Sequence, residues 1–175
     1  MHFIKFSWVI FLFFTLGLIC PTIVSEAKPD TLDRKNAINL EFAGPAGYWA
    51  VGYERIIKTK NRWRMFGAVA TSMWGLADYN GDFNPNFSIP IIIGGLYGGA
   101  VHNIELALSN TVYSIVTAEG GFEEDREFGV NGNIHIGYRY SPPCDRWHIK
   151  IYYLGTLVRY NYYVNYGGLG IGYSF

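Results

Sequence analysis

The chain ends Gly168-Leu169-Gly170-Ile171-Gly172-Tyr173-Ser174-Phe175. Large residues, Leu169, Ile171, Tyr173 and Phe175, alternate with the small Gly168, Gly170, Gly172 and Ser174. Successive side chains of a strand point to opposite faces, so this is a strand with one greasy face and one nearly empty face. A strand at a chain end with an aromatic as its last residue frays in water unless something ties it down. Closure of a membrane β-barrel does tie it down: the last strand pairs with the first, and its terminal ring sits at the lipid boundary.

The opposite end of the chain agrees. Met1 to Phe6 carry one positive charge, Lys5, and Trp8 to Ile19 are almost wholly apolar. Ser25-Glu26-Ala27 then offers small residues where a signal peptidase reads. Residues 1–27 therefore read as a secretory signal peptide cut after Ala27, leaving a domain over 28–175. The apolar run is shorter than the roughly 20 residues of a retained membrane helix. Ile19 is too bulky for a lipoprotein signal at Cys20.

Removing 1–27 takes away Lys5 and Glu26, so thirteen basic and thirteen acidic residues remain. A balanced charge argues against nucleic acid as a partner. Cys144 is the one cysteine left, which excludes a disulfide within the mature chain. The length suits a single domain.

Short alternating runs separated by turn-rich segments predict eight strands, at about 37–43, 48–57, 62–74, 87–97, 102–116, 127–140, 147–157 and 163–175. The fold class is all-β, an eight-stranded antiparallel up-and-down transmembrane β-barrel. Ile104, Leu106 and Leu108 alternate with Glu105, Ala107 and Ser109, and Ile149, Ile151 and Tyr153 with His148, Lys150 and Tyr152. The fourth strand reads less cleanly, because Ile91-Ile92-Ile93 is continuous and Pro90 cannot donate to a ladder. With a periplasmic C-terminus, short turns fall at 58–61, 98–101 and 141–146, and longer outer loops at 75–86 and 117–126. The remaining outer connections, 44–47 and 158–162, are short.

Tyr53, Tyr97, Tyr138, Tyr140 and Tyr173 close the downward strands, and Trp63 and Trp147 open upward ones. Together they predict an aromatic girdle at one headgroup level, with Trp49 and Tyr163 supplying the other.

The last strand resembles the C-terminal targeting signal of bacterial outer-membrane barrels in Gly170, Tyr173 and Phe175, while Gly168 stands where that pattern has a polar residue. The chain as a whole resembles the small eight-stranded outer-membrane β-barrels, most closely an uncharacterised Bacteroidota-type family. Ile38-Asn39-Leu40-Glu41, Gly52-Tyr53-Glu54-Arg55, Ile89-Pro90-Ile91, His102-Asn103-Ile104-Glu105-Leu106 and Ile136-Gly137-Tyr138-Arg139-Tyr140 carry the likeness. It implies a fold and a location, the outer membrane of a Gram-negative bacterium, and no activity.

If the apolar alternates face lipid, the inward set includes Glu41, Glu54, Arg64, Glu105, His135, Arg139, His148 and Lys150. That is three acids against three permanent bases. Eight strands leave a lumen that side chains fill, and charges enclosed there must pair. A salt-bridged polar plug follows, with a narrow path for ions or small solutes as the alternative. Replacing an inward small residue such as Ala107 or Gly137 with a small polar one is expected to be milder than replacing outward Leu106 or Ile136 with Arg.

Alternation puts no serine beside His102, His135 or His148 on one face near lipid, so no Ser–His pair is expected and no enzyme is read. No cofactor and no metal site are expected. The acidic residues Glu119, Glu123, Glu124, Asp125 and Glu127, and Asp78, Asn80 and Asp82, read as solvated loops, with Ca²⁺ binding the alternative. The reading is a non-enzymatic outer-membrane barrel with a structural or surface-contact role. The alternatives are a secreted lipocalin-like ligand-binding barrel and an outer-membrane lipid-modifying enzyme. Expected partners are outer-membrane lipid and the barrel-assembly machinery during insertion, and the chain is expected to be a monomer.

Overall fold

The structure, a computed structural model, describes residues 34–77, 82–119, 123–142, 146–158 and 162–175, without the side chains of 118–125 and 157–164. The signal-peptide reading over 1–27 lies outside the described residues, as do Asp78, Asn80 and Cys144.

Eight strands run antiparallel in chain order: β1 (Asn36–Gly44), β2 (Gly47–Lys60), β3 (Trp63–Trp74), β4 (Asn86–Gly98), β5 (His102–Glu119), β6 (Glu123–Tyr140), β7 (Trp147–Val158) and β8 (Tyr162–Ser174). β1 pairs with β8, so the sheet closes on itself and no strand is left as an edge. The seam continues past the strand ends, where Phe175 N–H donates to the Asn36 carbonyl at 2.8 Å and Asn36 N–H to that of Phe175 at 3.2 Å.

Closure requires stagger. Directly paired residues lead from Lys60 to Trp63, Tyr97, Ile104, Tyr138, Ile151, Leu169, Phe42 and Trp49. One circuit returns to β2 eleven residues from its start, one of them the bulge residue between Ile56 and Lys58. That shear tilts the strands and sets the width, which for eight strands leaves an interior that side chains fill.

The two faces separate by chemistry. Ile38, Leu40, Val69, Ile91, Ile93, Ile104, Leu106, Leu108, Ile134, Ile136, Ile149, Ile151, Leu169 and Ile171 all point outward and are exposed. Their alternates Asn39, Glu41, Glu105, Ser109, Asn133, His135, His148 and Lys150 are buried inside. Water would not tolerate so continuous an apolar belt on a monomer, whereas hydrocarbon does. These faces run opposite to those of a soluble calyx. Ile91-Ile92-Ile93 obeys the same rule: Ile91 and Ile93 face out while Ile92 enters a small apolar cluster with Phe66, Leu96 and Ala107. Pro90 also points inward, and the β3–β4 pairing skips from Val69↔Ile91 to Ser72↔Ser88 around it.

Two connections differ from the sequence reading. The segment expected as a long loop over 117–126 is mostly ladder, since pairing runs through Thr117↔Asp125 and Ala118↔Glu124 to Glu119↔Glu123. Ile115, Val116 and Thr117 favour extended backbone and pair with Glu127, Arg126 and Asp125, continuing the ladder of Val112, Tyr113 and Ser114 with Val130, Gly129 and Phe128. β5 and β6 are 18 residues each. At about 3.4 Å per residue that is roughly 60 Å, well beyond the 9–11 residues of a crossing strand.

The other is the short β1–β2 turn, which bends into the barrel instead of standing outside it. Gly44, Pro45 and Ala46 are buried. Ser88 Oγ donates to the Ala46 carbonyl at 2.6 Å and Thr111 Oγ1 to that of Pro45 at 2.9 Å. Positive φ at Ala43 (52°) and Gly47 (104°) makes the inward bend.

Candidate functional site

The buried titratable groups among the described residues gather in the lumen, and its register is set by which strands face each other across it. Arg139 of β6 stands between two acids. Its Nη1 lies 2.6 Å from Glu54 Oε1 and its Nη2 2.8 Å from Glu54 Oε2, while Nε and Nη2 reach Glu105 Oε2 at 3.0 and 2.7 Å. The guanidinium plane also lies over the Phe66 ring, 5.4 Å from its centroid. One fork-shaped cation thus satisfies two carboxylates, which a lysine could not do in the same geometry.

Lys150 of β7 pairs with Glu41 of β1, and Tyr152 Oη donates to Glu41 Oε2 at 3.0 Å. His148 Nε2 meets Asn39 Oδ1 at 2.8 Å, and Asn39 Nδ2 reaches Glu54 Oε2 at 3.4 Å. His135 stacks on Tyr152 at 5.8 Å between ring centroids. These charges are all but dry: Glu41, Glu54, Glu105, Arg139 and Lys150 are each 3–5 % exposed. Arg64 stands apart from the ion pairs. It lies half-buried at the end of the barrel that holds the termini, donating to Asn103 Oδ1 at 2.5 Å and to the Gly99 carbonyl at 3.2 Å. So the three acids share two cations, not the three that a one-to-one count offers.

The empty face of β8 receives its explanation here. Gly168, Gly170 and Gly172 pair directly with Tyr152, Lys150 and His148. A Cβ on Gly170 would come within 2.7 Å of Lys150 Cε, and one on Gly168 or Gly172 would overlap the Tyr152 or His148 ring. The bulky polar side chains of β7 therefore lie across the glycines of β8, and the plug needs both strands. Gly137 serves Tyr152 in the same way from β6: an added Cβ would sit 2.6 Å from Tyr152 Cβ and 2.8 Å from the Ile151 carbonyl oxygen. A replacement at Gly137 therefore carries a packing cost of its own, because the space of its missing Cβ is filled.

A second layer of small polar groups lies beyond the ion pairs. Asn133 Nδ2 donates to Ser109 Oγ (3.1 Å) and Thr111 Oγ1 (3.0 Å), and Thr156 Oγ1 donates to Asn133 Oδ1 (2.7 Å). Ser109 Oγ also lies 2.9 Å from His135 Nε2. The sequence reading expected no Ser–His pair. The structure holds two: the diagonal of the β5–β6 ladder supplies this one, 26 positions apart in sequence, and the diagonal of the β7–β8 ladder brings half-buried Ser174 Oγ to 3.3 Å from His148 Nδ1. The Ser109–His135 pair lies deep in the lumen. Both residues are buried, with Asn133 already against the hydroxyl, so the pair is a member of the plug and presents no open nucleophile. Asn39, Ser109 and Asn133 stand between outward apolar residues and were findable by the alternation that located Glu41 and Glu105. Phe66 and Leu96 were hidden because apolar residues adjoin them on the outward face.

The aromatic residues lie where strands meet the termini end. Trp63 packs on Tyr97 at 4.9 Å and Trp147 on Tyr173 at 5.1 Å. Their polar atoms are engaged: Tyr53 Oη donates to Asn36 Oδ1 at 2.6 Å, Tyr138 Oη meets His102 Nδ1 at 2.5 Å, and Arg146 Nη1 donates to Tyr173 Oη at 3.2 Å. Tyr140 is half-buried beside His102. Trp49 is exposed towards the opposite end, while the side chain of Tyr163 lies outside the described residues. Of the C-terminal residues, Gly170 faces Lys150, Tyr173 joins the aromatic cluster, and Phe175 lies exposed at the seam. Among the described residues no three His, Cys, Asp or Glu side chains come together as a metal site.

This geometry is that of the small eight-stranded outer-membrane barrels, and solved structures of that class match it. The crystal structure of Ail, the attachment invasion locus protein of Yersinia pestis, is similar with a TM-score of 0.53 at 14% identity, over 81% of this chain and 94% of that one. The N-terminal β-barrel domain of Pseudomonas aeruginosa OprF is similar with a TM-score of 0.52 at 12% identity, over 81% of this chain and 96% of that one. No family model matches the chain, and no curated protein matches it in sequence. At these identities the likeness establishes the fold.

Proposed function

We propose that the chain is an integral outer-membrane protein, exported by its N-terminal signal peptide, whose plugged barrel serves a structural or surface-contact role without catalysis. The observation that carries this is the pairing of an unbroken outward apolar belt with an interior whose charges satisfy one another. A catalytic centre needs an accessible nucleophile held closely by its base: Ser109 is enclosed, and half-buried Ser174 stands 3.3 Å from His148 Nδ1, longer than an activating hydrogen bond. A steady pore needs free cross-section, and the inturned β1–β2 turn and the ion pairs occupy it. Assembly as a monomer by the barrel-assembly machinery, reading Gly170, Tyr173 and Phe175, belongs to the same proposal. So does descent from a Bacteroidota-type barrel family, which the quoted segments support.

Cell fractionation tests the location, with gel migration before and after heating as the readout of a folded barrel. The protein is expected in the outer membrane, migrating faster unheated than heated. Leu106→Arg, on the lipid face, is expected to lower barrel stability by roughly 2–4 kcal/mol if it lies near the bilayer midplane. Recovery of the wild-type chain as a soluble periplasmic species would overturn the proposal.

A further inference from the structure

The charge of this neutral chain is sorted by end. Arg55-Ile56-Ile57-Lys58-Thr59-Lys60-Asn61-Arg62-Trp63-Arg64 carries five cations and no acid. The hairpin it forms, β2 to β3, is at the termini end of the barrel. Arg64 points inward, as described, and Arg62 lies in the turn. The other three do not follow simple alternation. Counting by twos from Arg55 would put Ile57 and Thr59 on its face and turn Lys58 and Lys60 inward. The bulge between Ile56 and Lys58 inserts one residue and resets the count. Lys58 then pairs with Met65 and Lys60 with Trp63, both outward and exposed, while Arg55 pairs with Gly67 on the same side. Directly paired residues share a face. Arg55, Lys58 and Lys60 therefore stand together on the outer surface beside the Trp63–Tyr97 ring pair.

No hydrogen bond or ion pair joins these three side chains to the described residues, and the nearest acid along the strand, Glu54, is turned inward and held by Arg139. Cations on a lipid-facing surface are tolerated only near the interfaces, where phosphates lie. The neighbouring indole and phenol rings favour that level too. A bulge spent on turning two lysines outward makes little sense for packing, since it leaves Ile57 exposed as well.

We infer that Arg55, Lys58 and Lys60, brought to one face by the bulge at Ile57, form a docking surface for the phosphate headgroups of anionic phospholipids in the leaflet at the termini end. The inference rests on the membrane reading proposed above. Charge complementarity selects the occupant: an anionic headgroup presents its phosphate without the ammonium that competes for it in a zwitterionic one. Three cations near the surface suffice for about a fivefold preference or more at low salt, weakening as salt screens the surface.

Spin-labelled lipids in bilayers holding the refolded full chain test this, because lipid in contact with a barrel gives a motionally restricted signal. Labelled phosphatidylglycerol is expected to associate at least about fivefold more strongly than labelled phosphatidylcholine at low salt. R55Q/K58Q/K60Q should bring the ratio close to one. Deleting Ile57 keeps every charge and sets Lys58 directly after the inward Ile56, still opposite Met65, so Lys58 and Lys60 stay outward and the ratio should hold. Should the triple variant misfold, K58Q/K60Q at the hairpin tip removes two of the three charges with the barrel proper untouched and should lower the ratio. A restricted signal of equal strength from both lipids with the wild-type chain, or selectivity retained by the triple variant, would overturn the docking surface. A chain that restricts neither lipid would instead overturn the membrane reading on which it rests.

Discussion

Arg139 is the residue on which the plug turns, because it alone answers two buried carboxylates. Breaking a buried pair strands its partner in a dry site, and here one substitution strands two. Arg139→Met is therefore expected to destabilise the barrel by about 3–5 kcal/mol or more. Adding Glu54→Gln and Glu105→Gln should restore much of that, since neutral amides carry no stranded charge. Arg64→Met, whose partners are the neutral Asn103 and a carbonyl, should cost less. Denaturant midpoints of barrels refolded in vesicles would check the order, and equal losses at Arg64 and Arg139 would remove the special place of the double clamp. Glycines give a second contrast at this scale. Gly137→Ala forces a Cβ against Tyr152 and a backbone oxygen, whereas a Cβ on Gly132 meets only Asn110 Oδ1, at 3.8 Å. The first should lose stability, by about 1–3 kcal/mol as an overpacked site, and the second should change little. Which residues point inward was legible from alternation at Glu41, Glu105, His135 and Lys150. Which inward residues meet was not, because Arg139 finds Glu54 at a sequence distance of 85 and Lys150 finds Glu41 at 109. Those distances are fixed by closure and stagger, and no single strand carries them.

Strands were the most readable elements. All eight lie within a few residues of their expected spans, because hydrophobic alternation with period two is strong wherever one face meets lipid and the other a polar lumen. Connections were harder, and for two physical reasons. An acidic stretch reads as solvated loop, because successive polar residues carry no apolar alternation to announce a ladder, as at Glu123–Arg126. A small apolar turn, Gly44-Pro45-Ala46-Gly47, reads as a tight outer connection, although its lack of any charged residue was the available sign that it is not solvated. Extension of β5 and β6 makes a measurable difference. Alternate amides from Ile115 to Ala118 should resist hydrogen exchange for longer than those of the 75–85 loop, in which an isolated Ala77↔Phe83 bridge is the ladder found among the described residues. Fast exchange across 115–119 would return the segment to a loop. The loop at 75–85 has its own anchor, since Arg126 of β6 donates to the Pro85 carbonyl at 3.3 Å, to Ser114 Oγ at 3.0 Å and to Asn84.

At the scale of the whole barrel, three obstructions stand in series along one axis. Nearest the termini end is the Glu54–Arg139–Glu105 cluster, with Phe66 and Leu96 packed beside it. The Lys150–Glu41–Tyr152 group follows, joined to the first through Asn39 and His148. The inturned β1–β2 turn closes the far end, held by Ser88 and Thr111. Barriers in series block independently, so releasing one leaves conduction limited by the others. The unmodified barrel is accordingly expected to be electrically silent in planar bilayers. Ser88→Ala with Thr111→Val, which frees the turn from its two hydroxyl donors, should be silent as well, because the ion-paired layers remain. Opening should require the turn to be freed and both charged layers thinned together, by adding Lys150→Ala with Glu41→Ala and Arg139→Ala with Glu54→Ala and Glu105→Ala, which remove every partner and strand no charge. Steady conductance from the hydroxyl variant alone would show that the turn is the sole gate and that the charged layers admit ions. Steady conductance from the unmodified barrel would defeat the plug altogether and make the protein a porin.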